Sequence, residues 1–213
     1  SHIQSVAVFC GSSPGTSPGF RAAAEALGQG IARAGWRLVY GGGQMGLMGV
    51  VANAALAEGG IVIGVIPEFL RRLEVAHDRT TELVVTDSMH SRKTAMFERA
   101  DAFVTLPGGL GTLDETIEII TWRQLRLHAK PILVCDILGS AAPLVAAIDT
   151  AIAQGFARPD VRQLFEVHAG VPATLAPAPV REVVEVIYDG ALGKGWNDYG
   201  WAPKDLGGGP ARL

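Results

Sequence analysis

A chain of 213 residues that is 48% hydrophobic, 18% charged and 7% aromatic, with 27 glycines, has the make-up of a tightly turned α/β protein with a sizeable core, which excludes disorder for most of its length. A formal net charge of -3 and a pI near 5.9 exclude a broad field for nucleic acid or anionic lipid, though a local basic cluster could hold one phosphate. The apolar stretches break well short of ~18 residues and the N-terminus lacks a basic region leading into an apolar core, so neither a membrane span nor a signal segment is expected, and a cytoplasmic protein is. The opening Ser1-His2 reads as an expression-tag remnant.

Val- and Ile-rich runs recur in chain order between helix-patterned segments. The predicted strands are Val6–Cys10, Arg37–Tyr40, Ile61–Ile66, Leu83–Thr86, Ala102–Leu106 and Ile132–Cys135. The predicted helices are Pro18–Ala34, Met45–Ala57, Ser91–Ala100, Leu113–His128, Ala142–Gln154 and Val180–Tyr188. Strands that alternate with crossover helices imply a single doubly wound, Rossmann-like α/β domain with a mostly parallel sheet, spanning residues 3–189. Residues 190–213 lose all periodicity and read as a flexible tail or an arm lying on a neighbour. Cys10 and Cys135 end apolar runs, with no zinc or disulfide spacing, and read as reduced core residues.

Three strands run into glycine-rich turns: "FCGSSPGTS", "VYGGGQMGLMG" and "LPGGLGTLDE". One such turn means little, but three gathered at the carboxyl edge of a parallel sheet favour a bound phosphate or nucleotide. In the second turn Gly41, Gly43 and Gly46 satisfy G-x-G-x-x-G, so a dinucleotide cofactor and a nicotinamide-dependent oxidoreductase have to be weighed. The acid at Glu68 is displaced from the usual ribose-binding position, and Pro67 argues against a regular strand end, so a mononucleotide or no cofactor fits as well. Met45 and Met48 read first as core filler.

In "DSMHSRKTAMFERADAF" the pair Arg92-Lys93 stands at a predicted helix start, where the macrodipole disfavours cations. A pair that opposes the dipole is a candidate for holding an anion; a solvated surface pair is the plain alternative. In the third turn Thr112 and Glu115 form a T-x-x-E capping box, a complete structural explanation in itself. Asp114, Glu115 and Glu118 would then lie in the first turns of that helix and repel a dianion on its axis. A phosphate is therefore expected on the backbone amides of Gly108–Thr112, with Arg92 offsetting the carboxylates, which would face the ribose. Cleavage at the anomeric carbon passes through an oxocarbenium-like transition state that a fixed carboxylate such as Glu115 stabilises. Holding the 5′-phosphate remotely would convert binding energy into rate.

"PGGLGTLDE", "SMHSRK" and "YGGGQMGLMG" together resemble the signatures of the LOG ("Lonely guy") family of cytokinin riboside 5′-monophosphate phosphoribohydrolases, formerly labelled lysine decarboxylases. The resemblance runs from about Val6 to at least Val134. It implies hydrolysis of the N-glycosidic bond of AMP-like nucleotides to free base and ribose 5-phosphate, with no metal or redox cofactor, by a homodimer. It makes Arg92 and Glu115 the catalytic pair. It puts Glu74, Lys93, Gly109, Leu110, Gly111, Thr112, Leu113, Asp114 and Thr121 in the substrate site. The candidate substrate-binding set also takes in Ser12, Gly42, Gly43, Met89 and Gly108 from the three turns and the "SMHSRK" stretch. Thr116 departs from the leucine that plant members often carry. Lys93, Lys130, Lys194 and Lys204 offer no suitable Schiff-base lysine, so decarboxylation is disfavoured. A nucleotide-sensing module with the same pocket and no turnover is the alternative from another class.

Overall fold

A computed structural model describes residues 3–71 and 76–176. Glu74, the predicted helix Val180–Tyr188, the tail from residue 190, Lys194 and Lys204 lie outside the described residues. The strands are β1 Ser5–Phe9, β2 Arg37–Tyr40, β3 Val62–Pro67, β4 Glu82–Thr86, β5 Ala102–Thr105, β6 Ile132–Asp136 and β7 Glu166–Ala169. The helices are α1 Pro18–Arg33, α2 Gly46–Ala57, α3 Met89–Arg99, α4 Leu110–Gln124, α5 Ala142–Ala153 and α6 Gly170–Leu175. All seven strands pair in parallel in the order β4-β3-β2-β1-β5-β6-β7. The order reverses between β1 and β5, and a crevice opens at the carboxyl end of an open parallel sheet at such a point.

The strand period sorts the core onto the sheet's two faces. Val6 and Val8 pack with Leu27 and Ile31 of α1 and Val51 of α2, while Ala7 and Phe9 pack with Met96 of α3, Ile119 of α4 and Ile148 of α5. A sheet covered on both faces needs continuous apolar strands, which is why β1 and β3 are buried at every residue. Among the described residues no helix is long and apolar enough to cross a membrane.

Three sequence expectations are corrected. Pro67 is the last residue of β3 and pairs with Thr86. In α4 the N-cap is Gly109, in an extended conformation and without a side-chain cap bond, so Thr112 is the third helical residue and the capping box does not form. The two glycines let the chain enter the helix one turn early, which moves Asp114 and Glu115 into the second turn and leaves the first free of acid. The helix also ends at Gln124, so Arg126 and His128 fall past it. Strand β7 and helix α6 were not anticipated.

Candidate active site

Three connections join the glycine turns at the reversal point. Gly11 N–H donates to the Pro107 carbonyl at 3.0 Å, and Leu47 N–H donates to the Gly11 carbonyl at 3.0 Å. Gly46 sits against the Ser12 backbone so closely that a Cβ would collide with it. Turns after β1, β2 and β5 therefore form one surface, on which Ser12, Gly108, Gly109, Leu110 and Gly111 are exposed. The first N–H groups of α4 have no acceptor within their own helix, and the positive end of its dipole faces this surface. With no acid in the first turn, the repulsion expected on the helix axis is removed.

Arg92 enters from α3. The helix is opened by a reciprocal capping box, in which Ser88 Oγ accepts from Ser91 N–H and Ser91 Oγ accepts from Ser88 N–H, each at 3.1 Å. That cap makes Arg92 the fourth helical residue and turns it inward, where it is 5% exposed. Its Nε donates to the Val65 carbonyl at 3.1 Å and its Nη2 to the Gly41 carbonyl at 2.8 Å. Met89 Sδ lies 3.8 Å from Nη1. A buried cation is costly unless its donors are used, and here two strand ends supply oxygens that fix the plane of the guanidinium.

Lys93 Nζ points the other way, to Asp114 at 2.6 Å and Glu118 at 3.2 Å. Burial lowers its pKa, but the hydrogen bond it donates to Asp114 and the charge of Glu118 outweigh burial and raise it, so the amine stays protonated. The pair consists of the residue after Arg92 and the residue before Glu115, so it clasps α3 to α4 beside both candidates. Glu115 is half-buried. Burial first, and then the charge of Glu115, push the Cys10 thiol pKa far up.

The other expected site residues are placed differently. Gly42 and Gly43 are buried. The Gly42 carbonyl accepts from His77 N–H at 2.9 Å, and Gly43 bridges Ala76. A Cβ at Gly41 would collide with Arg92. Protein atoms thus account for Gly41 and Gly46 of the G-x-G-x-x-G match. Leu113 is 39% exposed and Thr121 is exposed on the outer face of α4, its hydroxyl bonded to the Ile117 carbonyl at 2.8 Å. A small crevice beside the third turn is lined by Thr105, Pro107, Gly108, Thr112, Leu113 and Cys135, without Arg92 or Glu115. No group of three or more metal-ligating side chains occurs among the described residues. His77, a lone histidine ahead of β4 that the sequence did not single out, supports the second turn through its N–H.

A family model described as "Possible lysine decarboxylase" matches residues 48–176. The cytokinin riboside 5′-monophosphate phosphoribohydrolase of Rhodococcoides fascians is 45% identical over 174 residues, 81% of this chain and 88% of that protein. The chain belongs to the LOG family. A probable phosphoribohydrolase of the same name from Oryza sativa subsp. japonica is 46% identical over 88% of this chain and 80% of its own. The solved molybdenum cofactor binding protein from Rippkaea orientalis superposes with a TM-score of 0.62 at 20% identity, covering 82% of this chain and 94% of that one, a likeness of fold alone. Neither of the lysines among the described residues, Lys93 and Lys130, bears out the family model's label. Lys93 is held by the carboxylates of Asp114 and Glu118, and Lys130 Nζ donates to the Phe97 carbonyl at 2.7 Å at the opposite edge of the sheet.

Proposed function

We propose that this LOG-family chain hydrolyses the N-glycosidic bond of cytokinin riboside 5′-monophosphates and related AMP-like nucleotides, releasing the free base and ribose 5-phosphate. The observation that carries the reading is the buried Arg92 guanidinium fixed on the Gly41 and Val65 carbonyls, beside a helix that opens on exposed glycines with no acid in its first turn. The curated relatives named for this activity support it.

In the mechanism, the amides of Gly108–Thr112 take the 5′-phosphate and hold the ribose at a set distance. Glu115, one turn deeper, stabilises the positive charge that develops on the sugar ring or orients the attacking water. Arg92 is an electrostatic clamp; its very high pKa makes it a poor proton donor. Lys93 and Asp114 position the two helices. Because Thr121 is expected in the substrate site yet lies on the outer face of α4, we propose that a second copy of the chain packs against that face and brings it to the partner's site. Leu110 at 86%, Ile117 at 40% and Leu125 at 61% exposure supply an apolar stripe there.

Chromatographic product analysis across a panel of nucleoside 5′-monophosphates tests the activity. Free base and ribose 5-phosphate are expected from AMP and from isopentenyladenosine monophosphate. Glu115→Gln and Arg92→Ala should each lower kcat/KM by about a hundredfold or more, the scale of a lost electrostatic contact in a transition state, with circular dichroism unchanged. Intact AMP after long incubation, alongside tight AMP binding in calorimetry, would establish the sensing module instead.

A further inference from the structure

The first turn of α4 has weak local reasons to stand where it does. Its N-cap is a glycine without a side-chain bond, two further glycines flank that cap, and glycine leaves the backbone the most freedom to lose. What ties this turn to the sheet is a buried hydroxyl pair. Thr116 Oγ1 donates to the Thr112 carbonyl at 2.7 Å, and Thr105 Oγ1 lies 2.9 Å from Thr116 Oγ1. A hydroxyl has one proton; Thr116 spends its own on Thr112, so Thr105 is the donor to Thr116.

The chain of bonds therefore runs from the last residue of β5, across the loop 106–109, into the turn 112–116. Thr116 is 0%, Thr112 5% and Thr105 6% exposed, so the pair is shielded from bulk water. The Thr112 side chain in turn lies under Gly108, where a Cβ would collide with Thr112 Oγ1 and Cβ. Loop, first turn and sheet are thus fixed against one another by three threonines and one glycine. Glu115 is the residue next to Thr116, and the amides expected to hold phosphate lie one turn away.

We propose that Thr105 and Thr116 are positioning residues whose hydroxyl pair sets the placement of the Gly108–Thr112 amides and the Glu115 carboxylate; this rests on the hydrolase reading above. The pair touches no substrate and acts through α4. A threonine bonded to the carbonyl four residues back bends its helix slightly, so the bond also sets the angle at which the turn carrying Glu115 leaves β5.

Valine keeps threonine's shape and removes the hydroxyl. Thr116→Val alone leaves the Thr105 hydroxyl buried without an acceptor and should lower the melting temperature, whereas Thr105→Val/Thr116→Val removes both polar groups and should recover most of it. A merely structural role predicts that activity recovers with stability. The positioning role predicts that the double variant stays slow, with kcat down about tenfold or more, because a misplacement near 1 Å can cost on the order of a hundredfold. Thr116→Ser, which keeps the hydroxyl, should restore most of kcat.

Hydrogen exchange of the amides in residues 113–116 supplies a readout independent of turnover, and exchange faster than wild type is expected in the double variant. Wild-type kcat in the double variant, or unchanged exchange, overturns the proposal. Glu115→Gln in the same assay separates the two readings. If it stays active, the catalytic assignment fails; if it is inactive while the double variant keeps wild-type kcat, only the tether fails.

Discussion

Gly41 shows how a single residue can serve a site it never touches. Its carbonyl accepts from Arg92 Nη2, and a methyl group at its Cα would meet the same guanidinium and come within 3.0 Å of Met48 Sδ. The arginine tip and the thioether can give way, but the adjoining turn cannot, since Gly42 is pressed against Val65 and Ile66 of β3. Gly41→Ala should therefore leave the fold intact while displacing the clamp, lowering kcat/KM about tenfold or more. Thermal melting alongside kinetics checks this, and a variant as active as wild type would show that the guanidinium's setting is unimportant. The sequence marked Gly41 only as part of a nucleotide fingerprint. Arg92 stood out in the sequence because a cation near a helix start opposes the dipole. Its carbonyl partners did not, because they depend on how β2 and β3 end beside α3.

At the scale of elements, the five inner strands were readable because a sheet buried on both faces demands near-continuous apolar residues, and the half-buried edge strand β4 was readable from its Leu83-Val84-Val85-Thr86 run. Strand β7, Glu166–Ala169, lies at the sheet edge with two of its residues charged or titratable, and so carries no such run. The start of α4 was misplaced because a T-x-x-E signal and a glycine N-cap compete. The glycine won because Thr112 is needed inside, under Gly108. That shift also gives α4 its outer stripe of Leu110, Asp114, Ile117 and Thr121, spaced at helical intervals on the exposed face. If this stripe meets a second copy, Ile117→Glu should leave a folded monomer by sedimentation velocity. Activity should fall with it, since Thr121 of the partner subunit would no longer reach the site. A wild-type protein that sediments at the 22.3 kDa of one chain would sink the dimer.

Two neutral histidines lock remote parts of the whole molecule. His77 Nδ1 accepts from Arg79 N–H at 3.2 Å, so its Nε2 carries the proton and donates to Asn53 Oδ1 at 3.1 Å. His128 repeats the arrangement at the other edge of the sheet: Nδ1 accepts from Lys130 N–H at 3.1 Å and Nε2 donates to the Ile119 carbonyl at 2.9 Å. A second proton on either ring would face an N–H. Burial lowers both pKa values below the ordinary 6.5. Arg79 lowers His77 further while Asp78 and a backbone bond oppose it; for His128 the Ile119 bond opposes, and Arg123 and Lys130 reinforce, the fall. With a folded pKa below the unfolded one, the unfolded chain takes up protons first as pH drops. The stability from both rings is then fully present above about pH 6.5 and is lost as pH falls through the folded values. The carboxylate of Asp101 sets a separate window. Burial would raise its pKa, but bonds from Gln4 N–H, Ser5 N–H and Ser5 Oγ lower it below 3.8, so its contribution survives until more acid conditions. Thermal unfolding should therefore show a first decline in melting temperature below about pH 6.5, where histidine begins to titrate, well before carboxylates protonate. His77→Gln/His128→Gln should flatten that first decline and leave the second unchanged. An equal decline in the double variant would mean that other groups govern acid stability.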